Sequence, residues 1–286
     1  MRKIRLIKIT DKKYPKKLLQ IDDPPEQLYV IGNDKLLNKD SIAIVGSRGC
    51  SPYGDKYAKE FANKIAKKDI CIVSGMALGI DTGAHKGAFK EKGRTIAVLG
   101  AGFNNIYPEE NKELYEEILE NDGCIISEYS PDTQVKLSKF PYRNRIISGL
   151  AMGVLVVEAK YRSGSTVTAR YAKEQNRKVF CIPSNINLKT GVGTNKLIQE
   201  GAKLVTCVED ILTEFNISLE NTKTEEEIIV EEEFKEIYNQ ISYMPININI
   251  ISKKCNIDIS IVTQKLLIME IKGYIKALPG NEYVRL

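Results

Sequence analysis

Histidine, closely spaced cysteines and long apolar runs are all scarce in this chain, and each scarcity closes off a class of function. There is one histidine, His85, and the six cysteines, Cys50, Cys71, Cys124, Cys181, Cys207 and Cys255, lie far apart with no C-x-x-C pair. A zinc shell would find neither its ligands nor its spacing. Cys71, Cys124, Cys181 and Cys207 each sit in a short apolar run, where a reduced thiol behaves as a small hydrophobe. The longest apolar runs, 42–45 and 154–157, fall far short of the ~18 to 20 residues that a membrane-spanning helix requires. The basic start at residues 1–6 lacks the apolar stretch and cleavage site of a secretory signal, so the expected location is the cytoplasm. Nucleotide signatures are missing as well: Gly46-Ser47-Arg48-Gly49 and Gly100-Ala101-Gly102 both fail the G-x-G-x-x-G spacing, and no G-x-x-x-x-G-K-[ST] loop occurs. No cofactor is expected.

What is present fits about two domains. The chain has 286 residues, 43% of them hydrophobic, and a formal net charge of +5, a mild excess that suits an anionic partner and suits ordinary solubility equally. Between residues 41 and 214 short apolar runs alternate with helical patterns, the rhythm of a parallel sheet covered by helices. The runs 41–45, 70–73, 95–99, 124–126, 154–157, 178–182 and 203–206 predict seven strands, near-continuously apolar as doubly buried strands should be. Helices are expected from Ser51, Asp81, Glu109, Tyr142, Thr166, Thr194 and Val208. Residues 1–40 read as a short N-terminal extension in which 27–31 can add a strand. Residues 215–227 read as an acidic linker, and 228–286 as a small unit of three helices and a hairpin, the pattern of a winged helix.

In an open parallel sheet, ligands sit beyond the carboxyl ends of the strands. The residues there are small, polar or basic: Gly46, Ser47 and Arg48 after the first run, Gly75 after the second, Gly100 and Gly102 after the third, and Ser163, Gly164, Ser165 and Thr168 after the fifth. Tight turns use Gly and Ser in any case, but their recurrence at one edge, each ahead of a helix N-terminus, suits phosphate groups. The most informative stretch is Lys139-Phe140-Pro141-Tyr142-Arg143-Asn144-Arg145, in which cations alternate with aromatics. That mixture combines phosphate neutralisation with base stacking, as single-stranded nucleic acid demands. Catalytic groupings are thin. His85, within a helical pattern and without a nucleophile beside it, reads as a packing histidine, while Glu128 and Glu158 at strand ends read as partners for arginines.

These residues resemble the DNA-processing protein A (DprA/Smf) family. The resemblance is carried by Gly46-Ser47-Arg48, by Ser74-Gly75-x-Ala77-x-Gly79-Ile80-Asp81, by Gly100-x-Gly102 with Tyr107-Pro108, and by Phe140-Pro141-x-Arg143-Asn144-Arg145-Ile146-Ile147-Ser148-Gly149-Leu150. Ser163-Gly164-Ser165 with Thr168-Ala169, and Gly193-Thr194-Asn195 with Gly201-Ala202, extend it over most of the chain. It implies a Rossmann-like, doubly wound, mostly parallel α/β domain followed by a C-terminal winged helix. It also implies a mediator without catalysis that binds single-stranded DNA in a basic pocket, forms homodimers and helps load RecA recombinase during natural transformation. By the same carry-over, Arg48, Lys139, Phe140, Arg143, Asn144 and Arg145 face the DNA, the arginines neutralising phosphates and Phe140 stacking on a base. The expected recognition helix at 260–271 offers one lysine among mostly apolar residues, which points to a structural or partner-binding role in place of duplex reading.

Two alternatives remain open at this point. A nucleotide phosphoribohydrolase-like enzyme shares the architecture, but it normally shows a Pro-Gly-Gly-x-Gly-Thr-x-x-Glu run where this chain has Ser163-Gly164-Ser165-Thr166. A transcription regulator would read duplex DNA through the winged helix and sense a metabolite through the sheet domain.

Overall fold

A computed structural model of the chain describes residues 3–217 and 230–285. The chain divides into two compact units, Met1–Ser218 and Leu219–Leu286. The acidic linker expected at 215–227 lies almost wholly outside the described residues.

The first unit is built on a nine-stranded sheet. Its strands are β1 (Arg5–Lys8), β2 (Gln27–Gly32), β3 (Ser41–Val45), β4 (Cys71–Ser74), β5 (Thr95–Leu99), β6 (Cys124–Ser127), β7 (Gly153–Val156), β8 (Lys178–Cys181) and β9 (Lys203–Leu204). They lie in the order β1-β2-β6-β5-β4-β3-β7-β8-β9. All seven expected strands form, and β3 to β9 run parallel. Consecutive strands spread one way from β3 and the other way from β7, so the winding direction reverses between them. The helices are α1 (Pro52–Lys67), α2 (Ile80–Ala88), α3 (Lys112–Glu120), α4 (Lys139–Leu150), α5 (Gly164–Glu174), α6 (Val192–Gln199) and α7 (Glu209–Leu212). Residues of α4, α5 and α6 pack on one face of the sheet, and residues of α1, α2, α3 and α7 pack on the other.

Local signals place the helices. Ser51 caps α1 by accepting from the Gly54 N–H at 3.1 Å, Pro52 fills the first position, and Ala58, Phe61, Ala62, Ile65 and Ala66 form the buried stripe. Helix α4 begins at Lys139, three residues before the expected Tyr142, because proline is tolerated in a first turn whose N–H groups lack helical partners.

Residues 3–40, expected as a short N-terminal extension able to add one strand, contribute two strands to the sheet. Strand β2 pairs antiparallel with β6, and β1 pairs with β2 at the outer edge. Tyr14, Leu18, Leu28 and Val30 are fully buried in the same core as α4. The segment is part of the sheet domain.

The second unit consists of α8 (Glu232–Tyr238), β10 (Ile246–Asn247), α9 (Ile248–Cys255), α10 (Ile259–Ile271), β11 (Ile275–Leu278) and β12 (Glu282–Arg285). The three helices and the terminal hairpin match the winged-helix expectation. The short β10 was not foreseen, and it adds to the hairpin in the order β10-β12-β11. Phe234, Ile237, Ile251, Val262, Leu266, Met269 and Val284 close its core.

Candidate functional site

Because β3 and β7 are neighbours at the reversal of winding, a crevice opens beyond their carboxyl ends, where ligands of open α/β sheets are held. The loop after β3 carries Ser47 and Arg48, and the loop after β7 leads through Glu158 to α5. The Ser47 N–H donates to the Glu158 carbonyl at 2.7 Å and ties the two loops together. Glu158 does not hold an arginine as expected. Its buried carboxylate accepts from the Ser51 N–H at 3.0 Å and the Ser51 hydroxyl at 2.5 Å, serving the N-terminus of α1, where a negative charge is favoured.

Arg48 is exposed, and among the described residues it has no acidic partner. Its guanidinium carbon lies 5.8 Å from the centre of the Phe140 ring. Phe140, in the first turn of α4, is half-buried and stacks at 5.3 Å and 33° on Tyr107. Arg48, Gly75, Ala77, Leu78, Tyr107, Pro108, Phe140 and Arg143 line one pocket. It has two aromatic walls and is cationic at its rim and at its base.

Arg143 forms that base and is only 5% exposed. Its guanidinium donates to the Gly75 carbonyl at 2.9 Å, to the Val98 carbonyl, and to Asn144 Oδ1 at 3.1 Å. Burial lowers its pKa to about 10, against the nearby charge of Asp81. Arg145, two residues on, turns to the opposite side of the helix and is 3% exposed. It meets Glu128 at 2.5 and 3.0 Å and Asp23 at 3.1 Å, beneath the Tyr142 ring at 3.8 Å. Burial, which alone would lower its pKa, is outweighed by the bonds to Glu128, and the pKa rises. Its guanidinium is committed to carboxylates, so the geometry corrects the expectation that Arg145 neutralises phosphates. Lys139 lies 4.2 Å over the Tyr129 ring.

The glycines divide by role. A Cβ on Gly100 would lie 2.6 Å from the Phe140 ring, and one on Gly75 would lie 2.9 Å from both Arg143 Nη2 and Asp81 Oδ2. Gly46 admits Ile80, and Gly102 packs on residues 130–131. Several amides expected to meet phosphate are already used: that of Gly75 by Asp81, that of Ser47 by Glu158 and that of Gly102 by Thr133. These residues shape the edge and do not donate into it. The turn at α5 differs. Gly164 is exposed at the helix start, where first-turn amides lack helical acceptors. The Ser163 and Ser165 hydroxyls lie 2.8 Å apart, and Thr168 is buried and bonds back to the Gly164 carbonyl at 3.3 Å. Asn144 Nδ2 donates to the same carbonyl at 3.1 Å, which joins α5 to the helix that carries Phe140.

Tyr107 stands in the sequence motif with Pro108 but was not assigned to the site, and Tyr161 with Arg162 was missed. Tyr161 is 59% exposed with the Arg162 guanidinium 5.2 Å from its ring. The signal was available, since Lys160-Tyr161-Arg162 repeats the alternation of cation and aromatic immediately ahead of Ser163. His85 is fully buried, with Nδ1 2.7 Å from Thr95 Oγ1, and burial takes its pKa down to about 3. Among the described residues no group of three or more His, Cys, Asp or Glu could hold a metal, and no helix is long and apolar enough to cross a membrane.

The family model of DNA recombination-mediator protein A matches residues 5–216, and that of the DprA winged helix domain matches residues 222–281. This chain belongs to the DprA family. It is 40% identical over 281 residues to protein Smf of Escherichia coli strain K12, covering 96% of this chain and 75% of that protein. The X-ray structure of DprA from Streptococcus pneumoniae superposes with a TM-score of 0.70 at 45% identity over 74% of each chain. DprA from Helicobacter pylori, whose structure is described as giving insight into a single-stranded DNA binding mode, superposes with a TM-score of 0.67 at 30% identity, over 76% of this chain and 98% of that one. DprA proteins are DNA-processing proteins, and this chain matches the models of both the mediator domain and the DprA winged helix domain.

Proposed function

We propose that this DprA-family protein binds single-stranded DNA along the carboxyl edge of its sheet. It then acts without catalysis as a recombination mediator that helps load RecA recombinase onto strands taken up in natural transformation. We place it in the cytoplasm as a homodimer formed through the Rossmann-like domain. The observation that carries the reading is Arg48, an exposed cation without an acidic partner among the described residues, set against Phe140 and Tyr107 at the sheet's reversal point. A phosphate meets Arg48 while a base stacks on the aromatic pair, and the open first turn of α5 with Arg162 and Tyr161 receives the neighbouring nucleotide. Arg143 and Arg145 support α4 from within. The mediator role rests on the family's own description, and the Helicobacter pylori relative supports the choice of single strands.

The test is a titration with a labelled single-stranded oligonucleotide at two salt concentrations. Affinity should fall steeply with salt as counterions are released. Arg48→Ala should weaken binding about tenfold and lower the salt slope by about one, with an unchanged unfolding midpoint. Binding equal to the parent at both salts would overturn the site. Failure of the protein to promote RecA assembly on single-stranded DNA, with binding intact, would overturn the mediator role alone.

A further inference from the structure

Beneath the pocket lies a carboxylate that the binding reading does not use. Asp81, in the first turn of α2, is 6% exposed. Its Oδ2 accepts from the Gly75 N–H at 3.1 Å and the Ala77 N–H at 3.4 Å. Both residues line the pocket, with Leu78 between them and α2. On its other side stands Arg143: a single Cβ placed on Gly75 would lie 2.9 Å from both Asp81 Oδ2 and Arg143 Nη2. The carboxylate thus touches the turn that makes one pocket wall and faces the guanidinium that makes the base, yet it does not reach the pocket itself.

We propose that Asp81 is a positioning residue for nucleic-acid binding: its ionised carboxylate holds the 75–78 turn and the Arg143 guanidinium in the arrangement that seats Phe140 and Arg48, so affinity for single-stranded DNA falls when this carboxylate takes up a proton. The inference rests on the binding reading given above and assigns its pH dependence. A neutral carboxyl accepts more weakly from the two backbone donors and withdraws the negative charge that faces the buried Arg143, so the turn and the guanidinium are held less firmly.

The groups around Asp81 leave it alone in this role. On its own helix His85 is buried with a pKa of about 3, so the chain's one histidine stays neutral over the physiological range. On α1, Asp55 lies beside Gly83 and is paired with Lys59 at 2.6 Å. Thr82 and Asn111 bond to each other on the α3 side, the Ser74 hydroxyl faces Asp81 from β4, and Arg48 and Tyr129 act on Arg143. Burial pushes the Asp81 pKa up to about 6, with Arg143 and the two amides restraining the rise. Because the folded value lies above the unfolded one, folding takes up a proton here. As pH falls through 6, this group's contribution to stability therefore grows while binding weakens. Titration of ordinary carboxylates has the opposite effect on binding, since it makes the protein more cationic and tightens its hold on DNA.

The experiment measures the dissociation constant of a labelled oligothymidylate for the full-length chain and for Asp81→Asn from pH 7.5 to 5.0 at fixed ionic strength, with denaturant unfolding at both ends. The parent should lose about tenfold in affinity with a midpoint near pH 6, without loss of stability. Asp81→Asn should bind at pH 7.5 about as weakly as the parent does at pH 5.0, with a flat profile. Tight parental binding with no pH dependence, or an Asp81→Asn profile that keeps the parental midpoint, overturns this inference alone. Absence of parental binding at pH 7.5 and low salt overturns the binding reading and this inference together. Should Asp81→Asn fail to fold, the parent's profile decides.

Discussion

A methyl group added at Gly100 would lie 2.6 Å from the Phe140 ring, closer than any real carbon contact, so the ring must leave its place beside Tyr107 to admit it. Gly100→Ala should therefore weaken oligonucleotide binding roughly fivefold to tenfold, the worth of one disturbed base stack. The salt slope should not change, because Arg48 keeps its charge; a titration at two salts separates this outcome from the loss of a phosphate contact. The residue types at this edge were legible in the sequence, but their division of labour was not. Gly and Ser looked like amide donors, and most proved to be clearances for Phe140, Arg143, Ile80 and residues 130–131. Arg143 and Arg145 looked equivalent, yet residues two apart on a helix project to nearly opposite sides. One lies under the pocket and the other faces Glu128 and Asp23.

Helix α4 is the element that joins the site to the domain. Arg145 fastens it to the N-terminal segment through Asp23 and to the end of β6 through Glu128, and Gln175 Nε2, at the C-terminal end of α5, donates to the Arg145 carbonyl at 3.0 Å. Arg145→Ala leaves two carboxylates facing a buried vacancy and should destabilise the protein by about 3 kcal/mol, moderated by the exposure of Asp23; urea unfolding measures it. Helix α10 gives the contrasting case. Val262, Leu266 and Met269 face its core while Ile261, Leu267, Ile268 and Ile271 are exposed, so the outer face carries little that would grip a phosphate. Duplex DNA should accordingly compete poorly for the full-length chain in a gel assay loaded with single-stranded oligonucleotide. The parallel strands were readable because burial on both faces makes them continuously apolar. Strand β2 is legible at 27–31, but β1 and the pairing of β2 with β6, some ninety residues away, are not, since no local pattern announces such a partner.

For the whole molecule, the nine-stranded sheet makes residues 3–40 a structural requirement. Tyr14, Leu18, Leu28, Val30, Leu36 and Leu37 are buried in its core. Each such side chain is worth about 1.5 to 3 kcal/mol, so together they rival the total stability of a domain, about 5 to 15 kcal/mol. A chain begun at residue 41 should be insoluble or lack a cooperative unfolding transition by circular dichroism.

The strand order also sets a timetable for synthesis. Among these strands β1 and β2 are made before their neighbour, and they have no seat until β6 has emerged, while β3 waits longer still for β7 on its second side. Nascent chains from which β6 has not yet emerged thus expose the apolar residues of β2 with nowhere to dock, a window in which a chaperone has something to hold.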